Sequence, residues 1–288
     1  MLGNQKVAQG HFVITMSSPY IAREAKPGQF VQVVCSNEFD PLLPRPFSFL
    51  TVTKNEFSLL YQVVGKGTQI LSEAKKDDML WVLGPLGNGF STSLRGSEGA
   101  EAIPLYAKDI SRKTGLLRRR FALPRNDVAI LVGGGVGIPP LYHLAQKLVK
   151  DKISIHVFLG ARNKNLLLCE KDFRKLNAGA RLPRPYMYLS TDDGSKGYKG
   201  LVTGPLEDFL KKINSKEIQI YTCGPTPMLK AVSLLSQKYG IDCQVSVEEP
   251  MACGFGVCLG CAIKVKGPRF AMACTQGPVF KADEILWE

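Results

Sequence analysis

Short apolar runs separated by turn residues fill the N-terminal third of the chain. They read HFVITMSS, QFVQVVCS, PFSFLTVT, FSLLYQVV and DMLWVLGP, and each has the length of a strand. Strands of this length that recur between turn residues are typical of antiparallel sheets and barrels. We therefore predict an N-terminal antiparallel β-barrel over residues 1–92.

The pattern of apolar positions changes near Asp127. From there apolar runs alternate with segments of helical length, in the order DVAILVGGG, LYHLAQKLVKD, ISIHVFLGAR and EKDFRKL. This alternation is typical of a doubly wound parallel sheet with crossover helices, which we predict over 127–243. The segment 93–126 between the two domains is predicted to be a linker or insertion. Its basic run, Leu117–Arg120, is interpreted as a solvated loop, with docking to a partner or membrane as the alternative.

Composition and charge exclude several classes of protein. The chain has 288 residues, 45% of them apolar, and a formal net charge of +12. Its longest apolar run is broken by Gly and Pro and is shorter than the roughly 20 residues that span a bilayer, so no membrane span is expected. The N-terminus does not resemble a signal peptide, which predicts a cytoplasmic protein. The basic residues are spread without interleaved aromatics, so no nucleic-acid partner is expected, whereas anionic cofactors and an acidic partner surface would explain the charge.

Four cysteines near the C-terminus indicate an electron carrier. Cys253, Cys258 and Cys261 have the spacing C-x4-C-x2-C, and Cys274 follows after twelve intervening residues. Thiolates around a plant-type [2Fe-2S] cluster show this pattern, and glycines between them suit a loop with its amides aimed at sulfur. We predict a small C-terminal [2Fe-2S] domain over 244–288. A structural zinc site is the alternative, although its ligands usually come in two short knuckles.

Two stretches of the predicted barrel suit a flavin. Arg45-Pro46-Phe47-Ser48 opens an apolar strand, where an Arg can direct two hydrogen bonds onto a pyrophosphate and a hydroxyl can meet a flavin edge. A proline-led strand entry that binds nothing explains the same tetrapeptide. The turn from Gly65 to Thr68 then opens a predicted helix, whose free N-terminal amides suit a phosphate.

Two strand-to-helix turns in the predicted parallel domain suit a pyridine nucleotide. The first, Gly133–Pro140, is rich in glycine and lets the backbone approach a pyrophosphate. The second puts Cys223 and Gly224 at the carboxyl end of the sheet, where ligands bind in this architecture. The acidic residue expected about twenty residues after the first turn is not obvious. Arg162 ends the next strand instead, where it either reaches a phosphate or is exposed.

Eight motifs in one order resemble those of the ferredoxin reductase superfamily and, within it, of the electron-transfer subunits of class B dihydroorotate dehydrogenases. The family's motifs are Arg-Pro-x-Ser, Gly-x-Gly-Thr, GPLGNGF, GGGxGxPPL, Thr-Asp-Asp-Gly, CGPxPMLKA, an acidic-Met-Ala-Cys loop and Gly-Pro-Val-Phe. The corresponding segments here are Arg45–Ser48, Gly65–Thr68, Gly84–Phe90, Gly133–Leu141, Thr191–Gly194, Cys223–Ala231, Glu248–Cys261 and Gly277–Phe280. The resemblance covers most of the chain.

The resemblance implies three cofactors and a set of residues for each. FAD would be held by Arg45, Pro46, Phe47, Ser48, Leu60, Tyr61, Gln62, Gly67 and Thr68. NAD(H) would lie across Gly133, Gly134, Gly135, Gly137, Cys223, Gly224 and Pro225. The cluster ligands would be Cys253, Cys258, Cys261 and Cys274. Ser48 and Cys223 are the candidate catalytic residues, because the nicotinamide is expected to meet the flavin near them.

The implied function is electron transfer between NAD and the FMN-containing catalytic subunit of a dihydroorotate dehydrogenase, in a heterotetramer that serves pyrimidine biosynthesis. One alternative keeps the cofactors and changes the partner, as in ferredoxin:NADP oxidoreductases or sulfite reductases. An alternative of another class is a zinc-stapled basic binding module. His11, His143 and His156 fit no catalytic constellation and are predicted to be structural. Asp192 and Asp193 are predicted to form a turn rather than a catalytic pair.

Overall fold

A computed structural model of the protein describes residues 1–92, 128–176, 184–213, 217–267 and 269–287. The predicted linker or insertion at 93–126, with its basic run, lies outside these ranges. The described residues form a six-stranded sheet, a seven-stranded sheet and a two-stranded hairpin. This architecture confirms the predicted fold class.

The first sheet is antiparallel throughout. Its strands follow the order β1-β2-β5-β4-β3-β6, and two helices lie between them in the chain. The elements are β1 Gly3–Ala8, β2 His11–Ser17, α1 Pro19–Glu24, β3 Phe30–Val33, β4 Arg45–Val52, β5 Glu56–Gln62, α2 Lys66–Glu73 and β6 Val82–Leu86. The ends of the sheet approach each other at Met1, whose ammonium donates to the Asp78 carbonyl at 2.8 Å and whose carbonyl accepts from the Asp77 N–H at 2.9 Å.

Alternation along these strands separates a core face from an outer face. Ile14 of β2, Val31 of β3 and Phe49 of β4 point into the apolar core of the sheet and are fully buried. The residues between them point outward because successive side chains of a strand alternate in direction. The outer face therefore carries Ser48, paired with Phe30, and Gln62, paired with His11.

The second half of the described chain alternates strands and helices before it ends in short strands. Its strands are β7 Val128–Gly134, β8 Ser154–Ala161, β9 Tyr186–Thr191, β10 Tyr198–Lys199, β11 Ile218–Cys223, β12 Asp242–Ser246, β13 Ala262–Val265, β14 Arg269–Met272 and β15 Val279–Lys281. Its helices are α3 Ile138–Lys150, α4 Glu170–Lys175, α5 Thr203–Leu210 and α6 Thr226–Tyr239, with 3-10 turns at Gly135–Gly137 and Lys164–Leu166. Among the described helices, none has the length and apolar character needed to cross a bilayer.

The seven-stranded sheet has the order β10-β9-β8-β7-β11-β12-β15 and is parallel except for β15. The chain passes from β7 outward through β8 to β10 and then returns to β11 on the other side of β7. The carboxyl ends of β7 and β11 therefore form the topological switch point, where open α/β sheets bind their ligands. The turn after β7 and the turn after β11 touch there, because a Cβ on Gly137 would overlap the backbone nitrogen of Gly224.

The C-terminal segment is tied to both larger sheets. β15 pairs with β12, and the hairpin β13–β14 packs against the same apolar core as β12. The loop between β12 and β13 lies on the outer face of the first sheet, where Gln32 Nε2 donates to the Met251 carbonyl at 3.1 Å. The cysteine-rich loop is thus held beside the outer face of β3.

Candidate functional site

A cavity of about 440 Å³ lies between the outer face of the first sheet and the carboxyl edge of the second. The first sheet lines it with Arg45, Pro46, Phe47, Ser48, Leu60, Tyr61, Gln62, Gly65 and Thr68. The second half of the chain lines it with Val136, Cys223 and the segment from Ser246 to Met251. All predicted flavin residues except Gly67 line this cavity. Gly67 lies directly behind the lining, where a Cβ would stand 3.4 Å from the Arg45 guanidinium.

Two side chains of the predicted flavin site organise its backbone. The Thr68 hydroxyl accepts from the backbone N–H groups of Val64 and Gly65 at 2.9 and 3.2 Å, which fixes the turn that opens α2. Arg45 Nη1 donates to the Leu43 and Pro44 carbonyls at 2.7 and 3.3 Å. Because a guanidinium has five N–H donors, those on Nε and Nη2 can still bind a phosphate in the cavity.

Ser48 and Cys223, the candidate catalytic residues, line the same cavity from the two sheets. Cys223 ends β11 and is buried, and desolvation, with a smaller effect of the Glu248 carboxylate, raises its thiol pKa well above the ordinary value. The thiol is therefore neutral, and it offers a polarizable, uncharged wall opposite the flavin side of the cavity.

Glu248 is a cavity residue that sequence reasoning did not single out as a site residue. It follows β12 and lines the cavity, and desolvation of its carboxyl raises its pKa. Its neighbour Glu249 also lines the cavity and has a raised pKa for the same reason. The available signal was an acidic pair directly after a parallel strand, at the edge where such sheets bind ligands. A carboxyl with a raised pKa can hold a proton next to the cavity.

A second cavity, of about 450 Å³, opens over the switch point. Its lining includes three predicted residues of the nucleotide site, Gly134, Gly135 and Pro225. It also includes Arg162 and Asp192, which directly follow β8 and β9. Further lining comes from Val136, Gly160, Ala161, Leu166, Leu201, Val202, Thr203, Pro227, Met228 and Ala231, and from His11 and Gln62 of the first sheet.

Four other predicted nucleotide residues lie outside that lining. A Cβ on Gly133 would stand 2.9 Å from Leu141 of α3, so this glycine lets the helix pack closely on the strand. Gly137 and Gly224 occupy the contact between the two turns. Cys223 lines the flavin-side cavity instead. The contacts of these residues with a nucleotide stay predictions.

The two cavities are adjacent, because Gln62 and Val136 line both. Gln62 ends β5 in the first sheet, and Val136 lies in the 3-10 turn after β7. Rings bound in the two cavities would therefore share these two neighbours. Direct transfer between two bound cofactors requires such closeness.

The four predicted cluster ligands lie within the C-terminal segment. The Cys258 N–H points at Cys253 Sγ, with a nitrogen–sulfur distance of 3.5 Å. Backbone N–H groups of Cys258, Phe255 and Val257 lower the pKa of Cys253 to about 6. Gly254 has a φ of +81°, and a Cβ there would stand 2.7 Å from Gln32 Cγ, so glycine lets this loop fold closely against β3.

The four thiols interact with one another. The Cys258 side chain hydrogen-bonds Cys253, and burial together with the neighbouring Cys261 raises the pKa of Cys274 to about 11, with a smaller effect of Cys253. Among the described residues, no three His, Cys, Asp or Glu side chains converge in a way that would hold one metal ion. A [2Fe-2S] cluster places two thiolates on each of two irons, whereas a structural zinc needs four ligands around one ion. The amides aimed at Cys253 Sγ fit a cluster, whose ligand sulfurs accept backbone hydrogen bonds.

Exposure differs sharply among the four thiols. Cys261 and Cys274 are buried, whereas Cys258 is exposed. Around Cys258 the apolar side chains of Phe255, Val257 and Leu259 are 55%, 73% and 62% exposed. We call these three residues the apolar rim of the cluster loop.

These features define the chain as an oxidoreductase of the ferredoxin reductase class with an iron-sulfur domain. They are the antiparallel sheet, the switch point of the parallel sheet, the two adjacent cavities and the thiol loop. The family model described as an oxidoreductase NAD-binding domain matches residues 131–234. The model described as the iron-sulfur cluster binding domain of dihydroorotate dehydrogenase B matches residues 248–286.

Curated relatives give the family. The electron transfer subunit of dihydroorotate dehydrogenase B (NAD(+)) from Desulforamulus reducens is 36% identical over 287 residues, covering 98% of this chain and 95% of the relative. The subunit of the same name from Caldanaerobacter subterraneus is 35% identical over 290 residues, covering 100% and 97%. The chain belongs to the family of dihydroorotate dehydrogenase B electron transfer subunits.

Solved structures agree with this assignment. A structure of the NADH-dependent reduced ferredoxin-NADP oxidoreductase is 29% identical, with a TM-score of 0.76 over 99% of this chain and 88% of that one. The FAD/NAD-binding domain of nitric oxide dioxygenase from Vibrio cholerae, at 14% identity and a TM-score of 0.62 over 86% and 96%, shows a shared fold. The comparisons confirm the predicted cofactor set of FAD, NAD(H) and a [2Fe-2S] cluster.

Proposed function

We propose that this chain transfers electrons between NAD and the FMN-containing catalytic subunit of a dihydroorotate dehydrogenase, as part of a heterotetramer that serves pyrimidine biosynthesis in the cytoplasm. The observation that carries the proposal is the adjacency of the two cavities at Gln62 and Val136, with Met251, two residues before Cys253, on the wall of the first. The names of the relatives support the choice of partner.

Each group of residues has a part in this function. When bound, nicotinamide exchanges a hydride, the cluster exchanges single electrons, and FAD does both. Arg45 would hold the FAD pyrophosphate, and the turn at Gly134–Val136 would hold the nucleotide. Ser48 and Cys223 would border the reacting rings from opposite sheets. The Glu248 carboxyl, whose pKa is raised by burial, would take up or release a proton at its oxygen beside the flavin cavity.

The path from the flavin cavity to the thiols is short along the chain. Met251 lines the cavity, and Cys253 lies two residues further on. Gln32 fixes this segment through the Met251 carbonyl. A cluster held by this loop would therefore face the flavin cavity on the Cys253 side and exchange electrons with the partner on the exposed side, at Cys258.

The apolar rim supports docking of a protein at the exposed side of the thiol loop. Exposed apolar side chains that cluster on a surface mark sites of protein contact. Here they surround the exposed Cys258. A docked partner would cover the rim and this cysteine and keep water away from them. We propose that the catalytic subunit docks on the apolar rim.

Reconstitution with the catalytic subunit tests the proposal. The complex is expected to reduce NAD+ with dihydroorotate, which this chain alone does not oxidise. Cys258→Ser should abolish this activity but keep FAD and the reduction of flavin by NADH, and Cys169→Ser, remote from the thiol loop, serves as the matched control. A fully active Cys258→Ser complex would remove the cluster from the route.

A second candidate partner is a ferredoxin-linked subunit, which the likeness to the reduced ferredoxin-NADP oxidoreductase favours. The same reconstitution separates the two candidates. Transfer of electrons from reduced ferredoxin, with none from dihydroorotate in the presence of the catalytic subunit, would replace the first partner by the second.

A further inference from the structure

His11 is a buried polar residue on the wall of the nucleotide cavity. It is the first residue of β2, its side chain is 4% exposed, and it lines the cavity over the switch point. Sequence reasoning predicts a structural role for it. Its position on the outer face turns it away from the core that contains Ile14 and Met16 and toward the nucleotide cavity.

The position of His11 along the cavity is set by strand register. His11 pairs with Gln62 of β5, the residue that lines both cavities. The other end of the nucleotide cavity is bordered by Arg162 and Asp192, which follow β8 and β9. His11 therefore stands at the flavin end, where the nicotinamide half of a bound dinucleotide must lie to meet the flavin.

Hydrogen bonding leaves one ring nitrogen of His11 unused. Nδ1 lies 2.8 Å from the Gln9 carbonyl, which can only accept, so Nδ1 carries the proton of the neutral ring. Nε2 is then an acceptor, and it has no hydrogen-bond partner in the part of the chain that the structure describes. The fully buried side-chain atoms without a partner among the described residues do not include Nε2, so its lone pair is accessible from the cavity that His11 lines. A donor on a molecule that fills the cavity can therefore bond to Nε2.

His156, which is half-buried, differs from His11 in having neighbours that explain its position. Its ring stacks on Tyr186 with centroids 4.6 Å apart, and its Nδ1 lies 3.3 Å from the Tyr188 hydroxyl. It does not line the nucleotide cavity. Its aromatic neighbours account for His156, whereas nothing described accounts for Nε2 of His11.

We propose that Nε2 of His11 accepts a hydrogen bond from the nicotinamide-riboside half of the bound pyridine nucleotide. Two groups of that half are donors, the carboxamide NH2 and the ribose hydroxyls. The bond would fix the nicotinamide end against Gln62, beside the flavin cavity. The inference rests on the proposed function, because it requires NAD(H) in this cavity.

Calorimetric titration of the FAD-loaded protein with NAD+ tests the assignment. His11→Phe keeps the ring volume but removes the acceptor, and it should raise the Kd for NAD+ about 3- to 10-fold, as loss of one hydrogen bond does. His11→Gln restores an oxygen acceptor near the Nε2 position and should recover most of the affinity. His156→Phe is the matched control and should bind NAD+ like the wild type.

A nucleotide in which an acetyl group replaces the carboxamide identifies the donor. If the carboxamide donates, His11→Phe and the wild type bind this analogue equally; if a ribose hydroxyl donates, the difference persists. Equal affinity of the wild type and His11→Phe for both nucleotides would overturn the proposal. FAD content and thermal unfolding show whether each variant is folded.

Nitrogen NMR of the wild type gives a readout that needs no variant. The Nε2 resonance of His11 should move on addition of NAD+, and an unmoved resonance in the bound state would overturn the inference by itself. Failure of the wild type to bind NAD+ or to reduce its flavin with NADH would instead refute the proposed function.

Discussion

At the scale of single residues, the site combines groups that local sequence indicates with groups that only the fold brings together. The tetrapeptide Arg45–Ser48 could be assigned to a flavin from its own chemistry and from the motif. Glu248 and His11 could not, because an acidic residue or a histidine has many uses, and these two face cavities only through the contact between the two sheets. Chemistry that depends on long-range contact leaves little trace in local pattern.

Replacement of Arg45 tests the flavin cavity. We expect Arg45→Ala to weaken FAD binding by about 1.5–3 kcal/mol, the contribution of charge-assisted hydrogen bonds, or roughly 10- to 100-fold in Kd. FAD fluorescence titration of the stripped protein measures it. Arg23→Ala is the control, since Arg23 is exposed and pairs with the adjacent Glu24. Unchanged flavin affinity would show that Arg45–Ser48 only opens a strand and does not bind FAD.

His156 predicts a defined pH dependence of stability. Burial lowers its pKa from 6.5 to about 4. The unfolded chain therefore binds this proton more readily, and the free energy of unfolding falls as the pH drops from about 6.5 to about 4. Because the ring is only partly buried, we expect a loss on the order of 1–2 kcal/mol.

Urea unfolding of the wild type and His156→Phe across that pH range measures the contribution. The variant should lose less stability on acidification than the wild type. His143, whose pKa is also lowered to about 4, remains in both proteins and cancels in the difference. Identical pH profiles would show that His156 is not held neutral by the fold.

At the scale of elements, periodicity identifies the long strands and helices, and tertiary pairing decides the short ones. The change from strand rhythm to strand-helix alternation near Asp127 predicts both larger sheets. The three-residue strand β15 pairs antiparallel with β12 in a sheet that is otherwise parallel. Nothing in its own sequence could assign it to that sheet, because so short a segment has no periodicity.

The contact between the β7 and β11 turns gives a prediction for this scale. Gly137→Ala would force a methyl group into the backbone of Gly224. We expect a destabilisation of about 1–3 kcal/mol, as for overpacking of a tight contact, together with weaker NAD+ binding. Thermal unfolding and calorimetry measure the two effects. Gly3→Ala is the matched control, since its Cβ would meet nothing within 4 Å, and an equally mild effect of both changes would contradict this geometry.

At the scale of the whole molecule, the two cavities lie beside each other and the thiol loop packs against the first sheet. The order of motifs could predict this set of cofactors, but not which part of the thiol loop faces the surface. That depends on exposure, which places Cys258 and the apolar rim outside while Cys261 and Cys274 are buried.

The apolar rim predicts how assembly should respond to charge. Val257→Asp should weaken binding of the catalytic subunit about tenfold or more, because a charge would be buried in the interface. NADH-dependent flavin reduction should be unchanged. Val7→Asp, on the edge strand β1, is the control. Analytical ultracentrifugation measures the complex, and equal association of both variants would place the docking surface elsewhere.

The most direct test of the central claim is the visible absorption spectrum of the anaerobically purified protein, before and after one equivalent of NADH. We predict flavin bands near roughly 450 nm with broader cluster absorption at longer wavelength, both bleached by NADH. A colourless protein that retains zinc would contradict the account, because neither the adjacent cavities nor the thiol loop would then carry electrons.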